Sequence, residues 1–184
     1  MENLLASLSL NLANETTAAL ERASGLTGSA KEALLALGEF LGEAHVGRLA
    51  SVLGLTHSGA VRLVTQLEAE GLAVRHTGAD RRRVEVRLTA RGRRLATAAR
   101  AARDAVVQET TRGLDEDEAG ILEGLLAKLV EARVAGRIEG RKEGGSGAWW
   151  CRTCDFEACG RPEGRCPAQV TAERLTRAQN GAAR

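Results

Sequence analysis

Tyrosine is absent from this 184-residue chain, and phenylalanine, tryptophan and proline occur only twice each. A core with almost no rings must be assembled from Leu, Ala and Val, which suits packed helices. No stretch approaches the roughly 18 uninterrupted apolar residues of a membrane span, because Glu, Arg, Asn or Lys breaks every Leu/Ala run. The opening MENLLASLSLNLANETTAALERAS is apolar, but it begins with Glu2 and lacks the basic head of a secretory leader. The expectation is a mature cytoplasmic protein with no membrane partner. Catalytic signatures are missing as well: there is no G-x-S-x-G, no P-loop and no His-Glu-x-x-His, and the three histidines (45, 57 and 76) are scattered. The chain reads as a non-enzyme.

What is present is a folding composition, 43% hydrophobic and 27% charged, whose net charge of +2 conceals an asymmetry. Between Arg75 and Arg103 stand ten arginines against Asp80 and Glu85, whereas from Asp104 to Arg133 eight acids face Arg112, Lys128 and Arg133. A basic block of this kind fits either a solvated face or an anionic partner such as nucleic acid. The pattern inside the block distinguishes the two.

Leu4, Leu5, Leu8, Leu12, Ala19 and Leu20 recur at helical spacing and predict an amphipathic helix over about 2–23, ending near Gly25. A second helix is expected from Ser29, as its N-cap, to Gly42. In AHVGRLASVLGLTHSGAVRLVTQLEAEGLAVRHT, Val46, Leu49, Ala50 and Leu53 give a short helix closed by Gly54. Thr56 then caps another helix with the inward stripe Ala60, Leu63, Val64 and Leu67. The pair forms a helix-turn-helix unit. After Gly71 the period falls to two in LAVRHT and RVEVRLT, which are read as strands joined by the turn GADRRR. Thr89 caps a helix over about 90–113, the acids 115–118 open another, and AGRIEGRKEGGSG reads as a flexible linker.

A helix-turn-helix followed at once by an arginine-tipped hairpin suits duplex DNA. Its second helix fits the major groove, where Thr56, His57, Ser58, Arg62 and Thr65 can meet base edges and phosphates. Arg82 at the hairpin tip, flanked by Arg81 and Arg83, is placed for the minor groove, where negative potential concentrates. Asp80 is read as shaping the turn, and Arg91, Arg93 and Arg94 as phosphate neighbours or a solvated face.

LTHSGAVRLVTQLEAEGLAVRHTGADRRRVEVRLTARGRRL resembles the winged-helix core of the MarR (multiple antibiotic resistance regulator) family of transcription factors. The resemblance rests on Leu55-Thr56, Leu63-Val64 with Leu67-Glu68, Gly71-Leu72, Asp80-Arg81-Arg82, Val86-Arg87-Leu88-Thr89 and Gly92. It implies a mainly α fold with a small β-hairpin wing. It also implies a homodimer whose first and last two helices entwine, and a regulator, usually a repressor, that binds a palindromic operator and answers a small-molecule effector. Gly59 and Val61 depart from the hydroxyl residues common at the start of the family's recognition helix. The implied layout is a winged-helix domain over 1–135, with a DNA-binding lobe at about 30–92 and dimerisation helices at about 2–24 and 90–135. A linker at 136–148 and a cysteine-rich tail at 149–184 follow.

That tail holds all four cysteines, both tryptophans and both prolines in WWCRTCDFEACGRPEGRCP. Cys151, Cys154, Cys159 and Cys166 are spaced to converge on one metal site, a common remedy for a segment too short to fold by apolar burial. Gly160, Pro162 and Gly164 would supply the turns, and Trp149, Trp150 and Phe156 would exclude water. Zinc and an iron–sulfur cluster both fit: the first three cysteines resemble a zinc knuckle with Cys in place of His, whereas Cys166-Pro167 resembles the Cys-Pro that ends ferredoxin runs. A thiol/disulfide switch and, after it, an inert tail with no metal are the remaining possibilities. Two other function classes compete with the regulator: a small redox protein or electron carrier using the cysteines, and a nucleic-acid binder without sequence preference.

Overall fold

The computed structural model describes residues 1–77, 84–142 and 147–182. The chain divides into two compact units, Met1–Gly113 and Leu114–Arg184. The first contains helices α1 (Glu2–Ser24), α2 (Ser29–Ala36), α3 (Val46–Leu53), α4 (His57–Ala69) and α5 (Ala90–Thr111). It also contains strands β1 (Glu43–His45), β2 (Ala73–Thr77) and β3 (Val84–Leu88). The second contains α6 (Glu116–Lys142) and α7 (Pro167–Ala182). A mainly helical chain with a small antiparallel sheet is the fold class expected from the sequence.

In the first unit, α1 stops where Gly25 enters the left-handed region at φ 68° and donates its N–H to the Glu21 carbonyl. The expected cap at Ser29 is corrected. Gly28, at φ 55°, is the capping residue, and Ser29 is already the first helical position. The Thr27 carbonyl accepts the Ala30 N–H at 3.2 Å, so this end is satisfied by backbone rather than by a hydroxyl. The run expected to continue helical to Gly42 leaves α-geometry after Ala36 and ends in a π-helical turn, Leu37–Leu41. There the chain passes so close to α5 that a Cβ on Gly38 would stand 2.8 Å from that of Ala96. Leu20 of α1, Leu35 of α2 and Ala99 of α5 form a buried cluster where these helices meet.

The helix-turn-helix follows its local signals closely. His45 caps α3 by accepting the Arg48 N–H on Nδ1 at 3.0 Å, and Gly54 closes it at φ 67°. Thr56 caps α4 by accepting the Gly59 N–H at 3.1 Å. Ala60, Leu63, Val64 and Leu67 are all buried, as their spacing requires. The sheet has three strands rather than two, in the order β1-β3-β2 and all antiparallel. Ala44 lies opposite Val86, and Arg75 also lies opposite Val86 from the other side. β1 gives no periodic signal, because three residues are too few to alternate; its partner β3 supplies the pairing.

α5 begins on top of this sheet. Thr89 accepts the Gly92 N–H at 3.0 Å and donates its hydroxyl to the Gly71 carbonyl at 2.8 Å, while its own N–H reaches the Leu72 carbonyl at 2.9 Å. Gly92 lies so near that carbonyl that an added Cβ would come within 2.1 Å of the oxygen. The contact is with backbone, so neither side can give way by rotating a side chain.

In the second unit, Asp115 and Glu118 close a reciprocal capping box at the start of α6. Asp115 Oδ1 accepts the Glu118 N–H at 2.9 Å, and Glu118 Oε2 accepts the Asp115 N–H at 3.1 Å. The expectation of a linker from residue 136 is corrected over 136–142, which continue α6. Val130, Val134 and Ile138 recur every four residues, and the tail gives that stripe a partner. They pack with Trp149, Trp150, Cys151, Phe156, Cys166 and Ala168 into one apolar cluster. α7 opens on Pro167, at a position where the missing N–H costs nothing.

Gly92→Ala is expected to lower the stability of the first unit by about 1–3 kcal/mol through forced backbone displacement. Urea denaturation of the full chain beside the wild type measures it.

Candidate functional site

The outer face of α4 is a continuous exposed stripe. Thr56, His57, Ser58, Val61, Arg62, Thr65 and Gln66 all face outward, as the complement of the buried Ala60–Leu63–Val64–Leu67 face. Two of the candidate DNA contacts also shape the helix start: Thr56 Oγ1 caps it and lies 3.2 Å from Ser58 Oγ. His57 and Arg62 point outward without a structural task of that kind.

Thr65 is tied into a network that the sequence did not announce. Arg75, on β2, donates Nη2 to the Thr65 hydroxyl at 3.0 Å and to the Val61 carbonyl at 3.1 Å. Its Nη1 pairs with Glu68 Oε2, and its backbone N–H donates to Glu68 Oε1 at 2.9 Å. Both charged side chains are about two-thirds buried. Arg75, counted in the basic block, is therefore a clamp between the wing strand and the recognition helix rather than a free cation. Arg91 and Arg93 are likewise engaged, donating to the Glu70 carbonyl at 2.9 Å and the Leu88 carbonyl at 2.8 Å respectively. Arg91 thereby satisfies a carbonyl at the C-terminal end of α4.

An open cleft of about 580 Å³ runs between the recognition helix and the wing strands, walled by His45, His57, Val61, Thr65, Arg75 and Val84. Asp80, Arg81, Arg82 and Arg83, the hairpin tip, lie outside the described residues. At the base of the sheet, His76 Nε2 lies 3.3 Å from Glu43 Oε2 and 3.7 Å from Glu85 Oε2, so side chains of all three strands meet there. These three side chains bring their ligand atoms within 4.8 Å of one another, the one such metal-capable group among the described residues.

In the second unit the structure gathers the four cysteines, all as free thiols, with Cys151 and Cys166 buried and Cys154 and Cys159 half-buried. The turns fall where the glycines allow them: Gly160 and Gly164 have φ of 66° and 69°. Arg161 stacks over Trp149 and Phe156, at 5.2 and 4.7 Å from the ring centres, and its Nη1 lies 3.9 Å from Cys151 Sγ. Trp149 and Phe156 meet edge to face at 5.9 Å. A hydrogen bond to Cys154, together with burial and the neighbouring sulfur's charge, pushes the Cys151 thiol far above its ordinary range, against the opposing pull of Arg161. Burial and the proximity of Cys166 push Cys159 up to about 11. Without a cation, then, these two thiols hold their protons at neutral pH.

A recognition helix with an outward polar stripe, clamped to a three-stranded sheet whose hairpin is rich in arginine, defines a winged helix-turn-helix protein. The MarR family model matches residues 24–83. Over those residues the chain is similar to the MarR family, and its fold is a winged helix-turn-helix. Among solved structures it is similar to YusO of Bacillus subtilis, with 25% identity and a TM-score of 0.63 over 71% of this chain and 92% of that one. It shares the fold of MepR, a transcription regulator of the Staphylococcus aureus multidrug efflux pump MepA (22% identity, TM-score 0.62, 72% of this chain and 97% of that one). The same fold appears in a MepR–DNA complex from S. aureus (23% identity, TM-score 0.55, 72% and 97%). The match of the family model ends before the cysteines, which lie beyond residue 83. No helix among the described residues is long and apolar enough to cross a membrane.

Glu68→Ala is expected to free Arg75 and cost about 1–2 kcal/mol through the lost charge-assisted hydrogen bonds. Thermal unfolding of Glu68→Ala, Arg75→Ala and the double variant measures it, and the two losses should be strongly non-additive.

Proposed function

We propose that this protein is a transcription regulator that grips duplex DNA as a homodimer and represses from a palindromic operator. The observation that carries the reading is the exposed stripe of α4 held at a fixed angle to the wing by the Arg75–Glu68 clamp. In this reading His57, Ser58 and Arg62 enter the major groove with Thr56, while Thr65 borders the contact as an anchor of the clamp. Arg81, Arg82 and Arg83 reach the flanking minor groove and phosphates. The similarity to MepR, which has been solved with DNA, supports this docking mode.

The dimer reading is supported by leucines that find no cover within their own unit. Leu4, Leu5, Leu8 and Leu10 of α1 are exposed in the first unit, as are Ile121, Leu125, Leu126 and Leu129 of α6 in the second. Apolar stripes of that length on a soluble regulator mark subunit contact. The winged-helix domain then spans 1–135 in function, with α1, α5 and α6 contributing to dimerisation. The four cysteines hold a thiolate-bound metal, zinc or iron–sulfur, through which the regulator answers metal or redox state; the buried sulfurs and their aromatic cover support this. A small-molecule effector acting on the winged-helix region is compatible with the same scheme. No catalytic role is assigned to any residue.

The test is fluorescence anisotropy of the full chain on its own upstream DNA with excess non-specific competitor. Arg62→Ala and Arg82→Ala should each weaken binding by roughly 10-fold or more, corresponding to about 1–3 kcal/mol for a lost groove contact. The logarithm of affinity should fall linearly with the logarithm of salt concentration, and less steeply in Arg82→Ala. Unchanged binding in both variants would contradict the docking mode.

A further inference from the structure

The outward face of the three-stranded sheet carries ionisable side chains from every strand. His76 of β2 stands opposite Glu85 of β3, and Glu43 of β1 stands opposite Arg87, two residues along β3 and on the same face. Glu43 thereby reaches the His76–Glu85 pair on the diagonal. His76 Nε2 lies 3.3 Å from Glu43 Oε2 and 3.7 Å from Glu85 Oε2, and one ligand atom from each of the three falls within 4.8 Å of the others. Those separations are long for hydrogen bonds, which close to about 2.7–3.2 Å when two groups simply hold one another. They are near the spacing of ligands around one small divalent ion. At bonds of about 2.1 Å, two ligand atoms stand roughly 3.0 Å apart at a right angle and roughly 3.4 Å apart at the tetrahedral angle. We propose that Glu43, His76 and Glu85 form a site for a divalent transition-metal ion, separate from the cysteines, with water completing the coordination.

The donor set suits such an occupant. Two ionised carboxylates this near repel one another, and Arg87 sits to one side of them, its Nε 3.9 Å from Glu43 Oε1. That leaves Oε2 of Glu43 on the histidine's side. A neutral imidazole supplies a nitrogen ligand without adding charge, and one nitrogen with two carboxylate oxygens fits manganese, ferrous iron or zinc. His76 Nδ1 is buried and has no hydrogen-bond partner among the described residues, so the ring offers Nε2 alone to an incoming ligand. With Nε2 on the ion, the proton stays on that unpartnered Nδ1, and no second group orients the ring or raises its basicity. The result is an exchangeable ion rather than a permanent structural one. The Glu43 side chain is 53% exposed, against 28% for His76 and 30% for Glu85, so the ion enters and keeps its water on the Glu43 side.

The position of the site has a mechanical consequence. β2 and β3 are the two arms of the arginine hairpin, and β1 runs directly into α3 of the helix-turn-helix. An ion held by all three strands ties those arms to the start of α3 and removes freedom that DNA binding otherwise has to remove. It also offsets the charge of two carboxylates on the strands that carry the hairpin arginines, which lessens repulsion of phosphates. The ion therefore strengthens binding to DNA. This consequence rests on the proposed regulator function, whereas the site itself does not.

The test titrates the full chain, stripped of metal and then of chelator, with Mn²⁺, an ion suited to carboxylates and water rather than thiolates. Loss of the paramagnetic resonance of free Mn²⁺ counts the bound ions, and about one per chain is expected. Glu43→Gln and Glu85→Gln, which keep side-chain size, should each weaken binding by roughly tenfold or more. Mn²⁺ should raise the thermal midpoint of the wild type and leave both variants unmoved, while circular dichroism shows that they fold. Cys151→Ser should take up Mn²⁺ as the wild type does, which separates the site from the tail. Wild-type affinity in both Gln variants, or no uptake by the wild type, would overturn the site. Fluorescence anisotropy on upstream DNA then reads the coupling, with Mn²⁺ expected to tighten binding several-fold in the wild type alone. Bound Mn²⁺ with unchanged DNA affinity would refute the coupling. DNA binding absent both with and without the ion would refute the regulator reading and leave the site standing.

Discussion

The contact that sets the exposed face of α4 against the sheet is the grip of Arg75 on α4. A recognition helix and a wing can serve one duplex only if the angle between them is fixed before DNA arrives; otherwise ordering them would consume binding energy. One guanidinium on β2 reaches a carboxylate, a hydroxyl and a backbone carbonyl of the helix, and its own N–H doubles the link to Glu68. Its planar fork of donors can satisfy several acceptors at once, which a lysine could not do. From the other side, Thr89 and Gly92 lock the start of α5 onto Gly71 and Leu72, just beyond the end of the same helix.

This arrangement explains why a block of ten arginines is not simply a basic patch. Arg75 is consumed by the clamp, Arg91 and Arg93 by backbone carbonyls, and Arg100 by an ion pair with Glu39. Arg103 pairs with Asp104, Arg87 stands half-exposed beside Glu43, and Arg94 is exposed on α5.

The parts legible in the sequence were those with local causes. Thr56 and Thr89 cap their helices because a hydroxyl at that position satisfies the third N–H beyond it. The α4 stripe is buried because four apolar residues share one helix face. The parts that escaped had distant causes. β1 exists because β3 offers it a partner, and the Arg75–Glu68 pair joins residues that only the fold brings together. The end of α6 carries Gly136 and Gly140 and reads as a linker, yet it is helical because the tail covers Val134 and Ile138. α7 did leave a signal, Pro167 at a first helical position followed by good helix formers, but the neighbouring cysteines overshadowed it. Gly28 replaced Ser29 as a cap because a backbone carbonyl was already in place to accept the Ala30 N–H.

Hydroxyl-radical footprinting of the full chain across its own upstream DNA bears most directly on the central claim, that two copies of a rigid helix-and-wing unit read one duplex. The account predicts two symmetric protected half-sites whose centres are separated by about one helical turn, roughly 10 base pairs, or a multiple of it. Uniform protection that vanishes on adding competitor DNA, or a single unpaired footprint, would contradict it.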